Sequence, residues 1–297
     1  MNSLQELFDL AAQRENSVVS VAAAADLNVL EAASAAKARG IADFVLFGDE
    51  AAIKQIAQEH HLDISEMKIV NVPDNEEACR KAVTLVAEGK ATALMKGLVD
   101  TSVIMRAALD RENGIRAGRK LSHITVFELP AYHKLLFVTD AAINIAPDIT
   151  GKKEILENGV DALHNLGIKR PKVALLAAKE KADEKMPVTL EYVELVEMAK
   201  KGGMEGYILD GPLALDNAVS AESAKIKGIA SDVAGDADLL VCPNIEAGNI
   251  LYKALAFLTT DVKLGGVVVG AKRPIILTSR ADTSESKLIS ILLGVLF

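Results

Sequence analysis

From residue 17 to residue 109, short apolar runs alternate with helical patterns, and this alternation limits the fold more than any other feature of the chain. Ser17–Ala25 reads as a buried strand and Leu27–Arg39 as a helix stopped by Gly40. Asp43–Phe47, Lys68–Val72 and Thr92–Lys96 read as further strands. Glu50–Glu59, Glu76–Glu88 and Thr101–Leu109 read as the helices between and after them. Strands bounded by Gly or Asp turns and followed by helices predict a parallel sheet with right-handed crossovers. The stretch 109–123 carries two glycines and no apolar period, and it reads as a seam. Beyond it, "ITVFELP" and "KLLFVTD" form a hairpin pattern, and alternation then resumes to Leu258. The predicted fold class is α/β, with two α/β lobes and a cleft between them. The last strand, Ile275–Thr278, and the helix after it are expected to return to the first lobe. The expected domains are therefore 1–120 with 270–297, and 121–269.

Composition supports this and narrows the function. Ala, Val, Leu and Ile dominate and Trp is absent, which suits a parallel sheet covered by helices. The net charge of -8 lacks the basic footprint of a nucleic-acid binder. An anionic ligand would need local positive partners. Cys79 and Cys242 stand far apart without ligand spacing, as small buried residues in a reducing compartment do. The N-terminus lacks the pattern of a secretory signal, and no run is long and apolar enough for a membrane span. The expected location is the cytoplasm.

Several signatures are missing. There is no G-x-G-x-x-G after a strand, no H-E-x-x-H and no G-x-S-x-G. The segment "GGVVVGAKRP" imitates a P-loop, but Ala271 separates Gly from Lys and Pro274 opens a strand. Gly265 and Gly266 read instead as a tight turn or a close approach to ligand. No metal site is expected. Positive charge is the local anomaly. Arg106, Arg111, Arg116, Arg119 and Lys120 gather at the seam, and Lys272, Arg273 and Arg280 gather at the second crossing. Such clusters suit a polyanionic small ligand. Asp210 opens what reads as a strand-end turn, Asp210-Gly211-Pro212. Asn249 and Lys253, four apart on one helix, read as a polar lining of the second lobe.

The segment "PIILTSRADTSESKL" (274–288) combines a strand end, a hydroxyl, a guanidinium and a helix start. Asp282, Thr283 or Ser284 could each cap that helix. Ligands of open parallel sheets sit outside the carboxyl ends of strands, and Thr278–Arg280 is at such an end.

"LVCPNIEAGNILYKAL", "LGGVVVGAKRPIILTSRADTSESKL", "DGPLALD", "ALMKGLVDTSVIMRAAL" and "FVTDAAINIAPD" together resemble the phosphate acetyl/butyryl transferase family. The resemblance runs from about residue 17 to the end, and "MKGLVDT" and "SRADT" look closer to the butyryl branch. It implies a fold related to isocitrate and isopropylmalate dehydrogenases, a homodimer, and exchange of CoA and phosphate on a short acyl group. CoA and phosphate would be substrates, with no cofactor. Ser279 and Arg280 match the family's active-site Ser-Arg pair, and Arg106 matches the Arg that begins the helix near the anion site. Lys96, Asp210, Asn249, Lys253, Gly265, Gly266 and Lys272 fall in or beside the matching motifs as substrate-binding candidates. One departure stands out. The acidic residue that the resemblance places seven positions after the Ser is Ser286 here, so the base for the thiol would be Asp282, Glu285 or a residue elsewhere. Acetyl transfer is the nearest alternative. A metal- and NAD-dependent dehydrogenase and a two-lobed ligand receptor are more remote ones.

Overall fold

The computed structural model describes residues 1–14, 17–202, 206–278 and 282–297. The first stretch runs α1 (Leu4–Ala12), β1 (Val18–Ala22), α2 (Leu27–Ala38), β2 (Asp43–Gly48), α3 (Glu50–Glu59), β3 (Lys68–Asn71), α4 (Asn75–Ala87), β4 (Ala93–Lys96) and α5 (Thr101–Ala108). The middle stretch holds β5 (Ser122–Glu128), β6 (Leu136–Thr139), α6 (Ile149–Asn165), β7 (Lys172–Leu176), α7 (Pro187–Lys200), β8 (Ile208–Leu213), α8 (Leu215–Val219), α9 (Ala221–Ile226), β9 (Leu239–Val241) and α10 (Ile245–Leu258). The last stretch holds β10 (Lys263–Val269), β11 (Ile275–Ile276) and α11 (Ser284–Leu296).

The chain divides into two compact units. One comprises Gln5–Arg119 with Leu264–Phe297, and the other Met1–Leu4 with Lys120–Lys263.

In the first unit the strand order is β3-β2-β1-β4-β11-β10. All neighbours are parallel except β10 and β11, which pair antiparallel at Val268 and Ile275. Val19, Ser20, Val21 and Ala22 are fully buried, so β1 is covered on both faces. The Ser20 hydroxyl is satisfied by donating 2.9 Å to the Ala82 carbonyl of α4. Asp26, Asp49 and Asp74 cap α2, α3 and α4 by accepting backbone N–H groups. The order carries a functional consequence. The chain runs outward from β1 through β2 to β3, then crosses to β4 on the other side of β1. The sheet's switch point therefore lies between β1 and β4.

In the second unit the order is β5-β6-β9-β7-β8. The β5–β6 hairpin is antiparallel, and β6, β9, β7 and β8 pair parallel. α6 begins at the Asp148 cap and packs on this sheet through Ile155, Leu156 and Val160.

Two elements differ from the sequence expectation. The strand expected to end at Asp210 runs on through Gly211 and Pro212 to Leu213. Gly211 adopts φ 156°, and a register shift between Ala174 and Leu176 absorbs the irregularity. Gly265 and Gly266 lie inside β10 rather than in a turn. A Cβ on Gly265 would meet Ile289 and Ser290 of α11 within 2.7 Å, so this glycine serves close helix–sheet packing. The Gly266 N–H donates to the Ser290 hydroxyl at 3.0 Å.

Candidate functional site

The switch point holds a small polar cavity. Asp26, Asn28 and Val29 line it from the start of α2, and Lys96, Gly97, Leu98 and Val99 from the end of β4. Thr278 and Lys287 complete it from the segment after β11 and from the first turns of α11. Its volume is ≈ 20 Å³.

Each wall follows from local sequence. β1 ends in a backbone latch, with the Gly97 N–H donating to Ala22 and the Leu98 N–H to Ala23, both at 2.8 Å. Only glycine fits at 97, because a Cβ there would sit 2.1 Å from the Ala23 carbonyl oxygen. Lys96 folds over this loop, its Nζ donating to the carbonyls of Gly97 at 3.2 Å and Val99 at 3.1 Å. α11 starts at Thr283, whose hydroxyl accepts the Ser286 N–H at 3.1 Å. Of the three possible caps, Thr283 is therefore the one used. Lys287, one turn on, is buried at 2% exposure and donates 2.6 Å to the Asp282 carbonyl. Thr278 is buried beside it. The N-termini of α2 and α11 both open here, and their free N–H groups favour negative charge. Two lysines and two helix starts give this cavity a positive surrounding.

Ser279 and Arg280 lie outside the described residues, between Thr278 and Asp282. Asp282 is half-buried and Glu285 is exposed in the first turn of α11. Arg106 is placed elsewhere. It stands in the last turn of α5, not at its start, and lines a separate ≈ 390 Å³ cavity with Glu76, Arg80, Thr84 and Asp110. The exposed Lys272 is held by its backbone, which donates 2.8 Å to Ile115.

The second unit has its own, largely apolar cavity of ≈ 720 Å³ beside the ends of β7 and β9. Leu176, Met186, Val188, Cys242 and Leu251 belong to its apolar lining, and Lys152 and Glu191, paired at 2.6 Å, to its polar lining. The loop that leads into it is organised by Asp140. That carboxylate accepts the N–H groups of His123, Ala142, Ile143 and Asn144, and the Asn144 side-chain amide. Asn249 and Lys253 are exposed and absent from this lining. Asn249 holds the Ala141 carbonyl at 3.2 Å, while Lys253 lies over Tyr252 and Phe257. Asp210 turns back on its own strand to accept the Gly211 N–H at 2.8 Å.

Neither cysteine is an activated nucleophile. Burial, with Glu76 adding to it, pushes the Cys79 thiol up to about 11. Burial, with Asp140 adding to it, pushes Cys242 up to about 12. Both are protonated near neutrality, whereas nucleophilic cysteines need a lowered pKa. Among the described residues no group of three or more His, Cys, Asp or Glu is arranged to hold a metal.

Lys287, Asp26 and the Lys152–Glu191 pair did not emerge from sequence reasoning, whereas Thr278 was expected at a ligand-facing strand end. Lys287 left one signal: a lysine on the apolar stripe of a helix whose following residues, Leu288 to Leu296, are all buried.

The family model for phosphate acetyl/butaryl transferase matches residues 3–80 and 74–295. A phosphate butyryltransferase of Clostridium acetobutylicum is 45% identical over 296 residues, covering 100% of this chain and 98% of that protein. The crystal structure of a branched-chain phosphotransacylase from Enterococcus faecalis V583 is similar at TM-score 0.83 and 34% identity, over 94% of this chain and 98% of that one. A 4-hydroxythreonine-4-phosphate dehydrogenase from Klebsiella pneumoniae shares the fold at TM-score 0.60 and 14% identity, over 95% of this chain and 100% of that one.

Proposed function

Because the chain belongs to the phosphate acetyl/butyryl transferase family, we propose that it exchanges CoA and inorganic phosphate on a short acyl group, with butyryl or branched C4–C5 acyl groups as the natural cargo. The observation that carries this reading is 45% identity to a phosphate butyryltransferase along the whole chain. The likeness to a branched-chain phosphotransacylase supports the branched cargo.

In the direction of CoA acylation, the CoA sulfur forms a bond to the carbonyl carbon of the acyl phosphate. The carbonyl electron pair moves onto oxygen, and its return expels phosphate. The thiol proton passes to a base, for which Asp282 is the candidate and Glu285 the alternative. Charge grows on the carbonyl oxygen and on the departing phosphate, so fixed positive donors are the main catalytic need. Arg280 supplies a planar fork for phosphate oxygens, and Ser279 orients the thiol or the phosphate. The lysine-lined cavity at the switch point fits the same demand for an oxyanion. The acyl group passes directly between the two substrates, so no cofactor takes part. No helix among the described residues is long and apolar enough to cross a membrane, and we place the enzyme in the cytoplasm as a homodimer.

The test is phosphate-dependent CoA release from acetyl-, butyryl-, isobutyryl- and isovaleryl-CoA. The C4–C5 substrates are expected to lead, with sequential kinetics unaffected by EDTA. Arg280→Ala should lower kcat by roughly 10²–10³, the usual loss for one preorganised donor. If no acyl-CoA of two to six carbons releases CoA in this way, the reading fails.

A further inference from the structure

We propose that Lys287 is a phosphate-binding residue, and that with Lys96 it forms the floor of a subsite that takes a single phosphoryl oxygen. The inference deepens the acyltransferase reading by assigning the phosphate half of the reaction to particular groups, and it rests on that reading for the identity of the anion.

The first argument is the cost of burying the ammonium. Lys287 is 2% exposed, and lysines are almost never buried at this level unless paired. Among the described residues no carboxylate lies within ion-pair distance of it, and its ammonium donates to the neutral Asp282 carbonyl at 2.6 Å. Among the described residues Asp26 is the one carboxylate lining the same cavity, and its Oδ1 accepts the N–H of Val29 at 3.0 Å. A backbone carbonyl satisfies one of the three ammonium hydrogens. A buried cation without a counter-charge is expensive, and an anionic ligand is the natural compensation.

The second argument is placement. The Lys287 side chain lines the cavity at the switch point, between the starts of α2 and α11. Lys96 lines it from the other side. Thr278 adds a buried residue whose hydroxyl can donate.

The third argument is size. At ≈ 20 Å³ the cavity holds about one water-sized group. One oxygen of a tetrahedral oxyanion enters, and the rest of the group stays at the mouth. Such a fit selects phosphate by a buried oxygen and excludes a bulkier head group.

The test uses the full-length protein and inorganic phosphate as the probe. Phosphate should raise the melting temperature of the wild type. In Lys287→Met that shift should vanish, and the KM for phosphate should rise about 10- to 100-fold, the range for losing one charged hydrogen bond. The KM for acyl-CoA should stay within about twofold, because the group lost serves phosphate. Lys287→Gln separates binding from bracing, since it keeps a donor for the Asp282 carbonyl and removes the charge. It should lose the phosphate response as fully as Lys287→Met, and it also covers the case in which the methionine variant does not fold. A wild-type phosphate response in Lys287→Gln would make Lys287 a structural brace and overturn the proposal. So would a wild type indifferent to phosphate. Because the melting shift needs no turnover, it reads the subsite even if no acyl-CoA proves to be a substrate.

Discussion

At the scale of single residues, Gly97 shows how the site depends on close backbone approach. Its missing side chain leaves the Ala23 carbonyl oxygen only 2.1 Å from where a Cβ would stand. Gly97→Ala must therefore push β4 from the end of β1 and break the hydrogen bond to Ala22. The expected loss is roughly 1–3 kcal/mol, as for overpacking elsewhere, and scanning calorimetry would read it. Lys96 and Leu98 flank the same point, so kcat/KM should fall with the stability. An unchanged melting temperature would mean that the latch is not rigid. The glycine pair 265–266 shows the limit of reading residues from sequence. Two glycines in an apolar run look like a turn, and only Ile289 and Ser290 pressing on Gly265 show that they sit in a strand. Lys287 is the converse case. Its letter reads as solvent-facing, and its burial follows from a tertiary contact that no local pattern encodes.

At the scale of elements, Asp236 ties the hairpin turn to β7. It accepts from His133 at 2.8 Å, from Lys172 at 2.7 Å, and pairs with Lys134 at 3.0 Å. Partial burial opposes its ionisation, yet hydrogen bonds from Lys172, Lys134 and His133 outweigh that cost and hold the carboxyl well below the usual range. A depressed carboxylate contributes stability that is fully present above its unfolded value, about 3.9. That contribution is lost as pH falls through the lowered folded value. The wild type should therefore lose part of its stability below about pH 4, and Asp236→Asn should lack that component. At pH 7 the variant should melt a few degrees lower. The pair is 39% exposed on the Asp236 side, so solvent screening limits the effect to about 1 kcal/mol. Urea titrations across pH would check both slopes. The strand–helix alternation was legible because period and turn residues agree along the chain. β8 was cut short in the sequence reading because Gly-Pro normally ends a strand, and only the register shift opposite it lets the strand continue.

At the scale of the whole molecule, an acidic chain still gathers Lys96 and Lys287 around one cavity, so positive charge is local rather than global. α10 carries the exposed apolar stripe Ile250, Phe257 and Leu258, at 69%, 71% and 85% exposure. These residues are spaced for one helix face, and exposed apolar patches mark contact surfaces. Sedimentation velocity should show a dimer, and Phe257→Asp with Leu258→Asp should shift it to monomer. A dimer that survives both changes would place the interface elsewhere. The sequence announced a parallel α/β architecture, but it could not order the strands. Order depends on which edge each crossover reaches, and the antiparallel β10–β11 turn is visible only in the pairing. The position of β11 also bears on how the protein emerges from a ribosome. β1 to β4 are made early, yet β4 gains its second neighbour, and α2 its partner α11, only after residues 264–297 have been made. Until then the nascent chain carries an open sheet edge and a bare helix face, both prone to unwanted association. Translation that stops within the intervening residues yields a polypeptide with Lys96 in place, no Lys287 beside it, and an unfinished sheet for quality control to find.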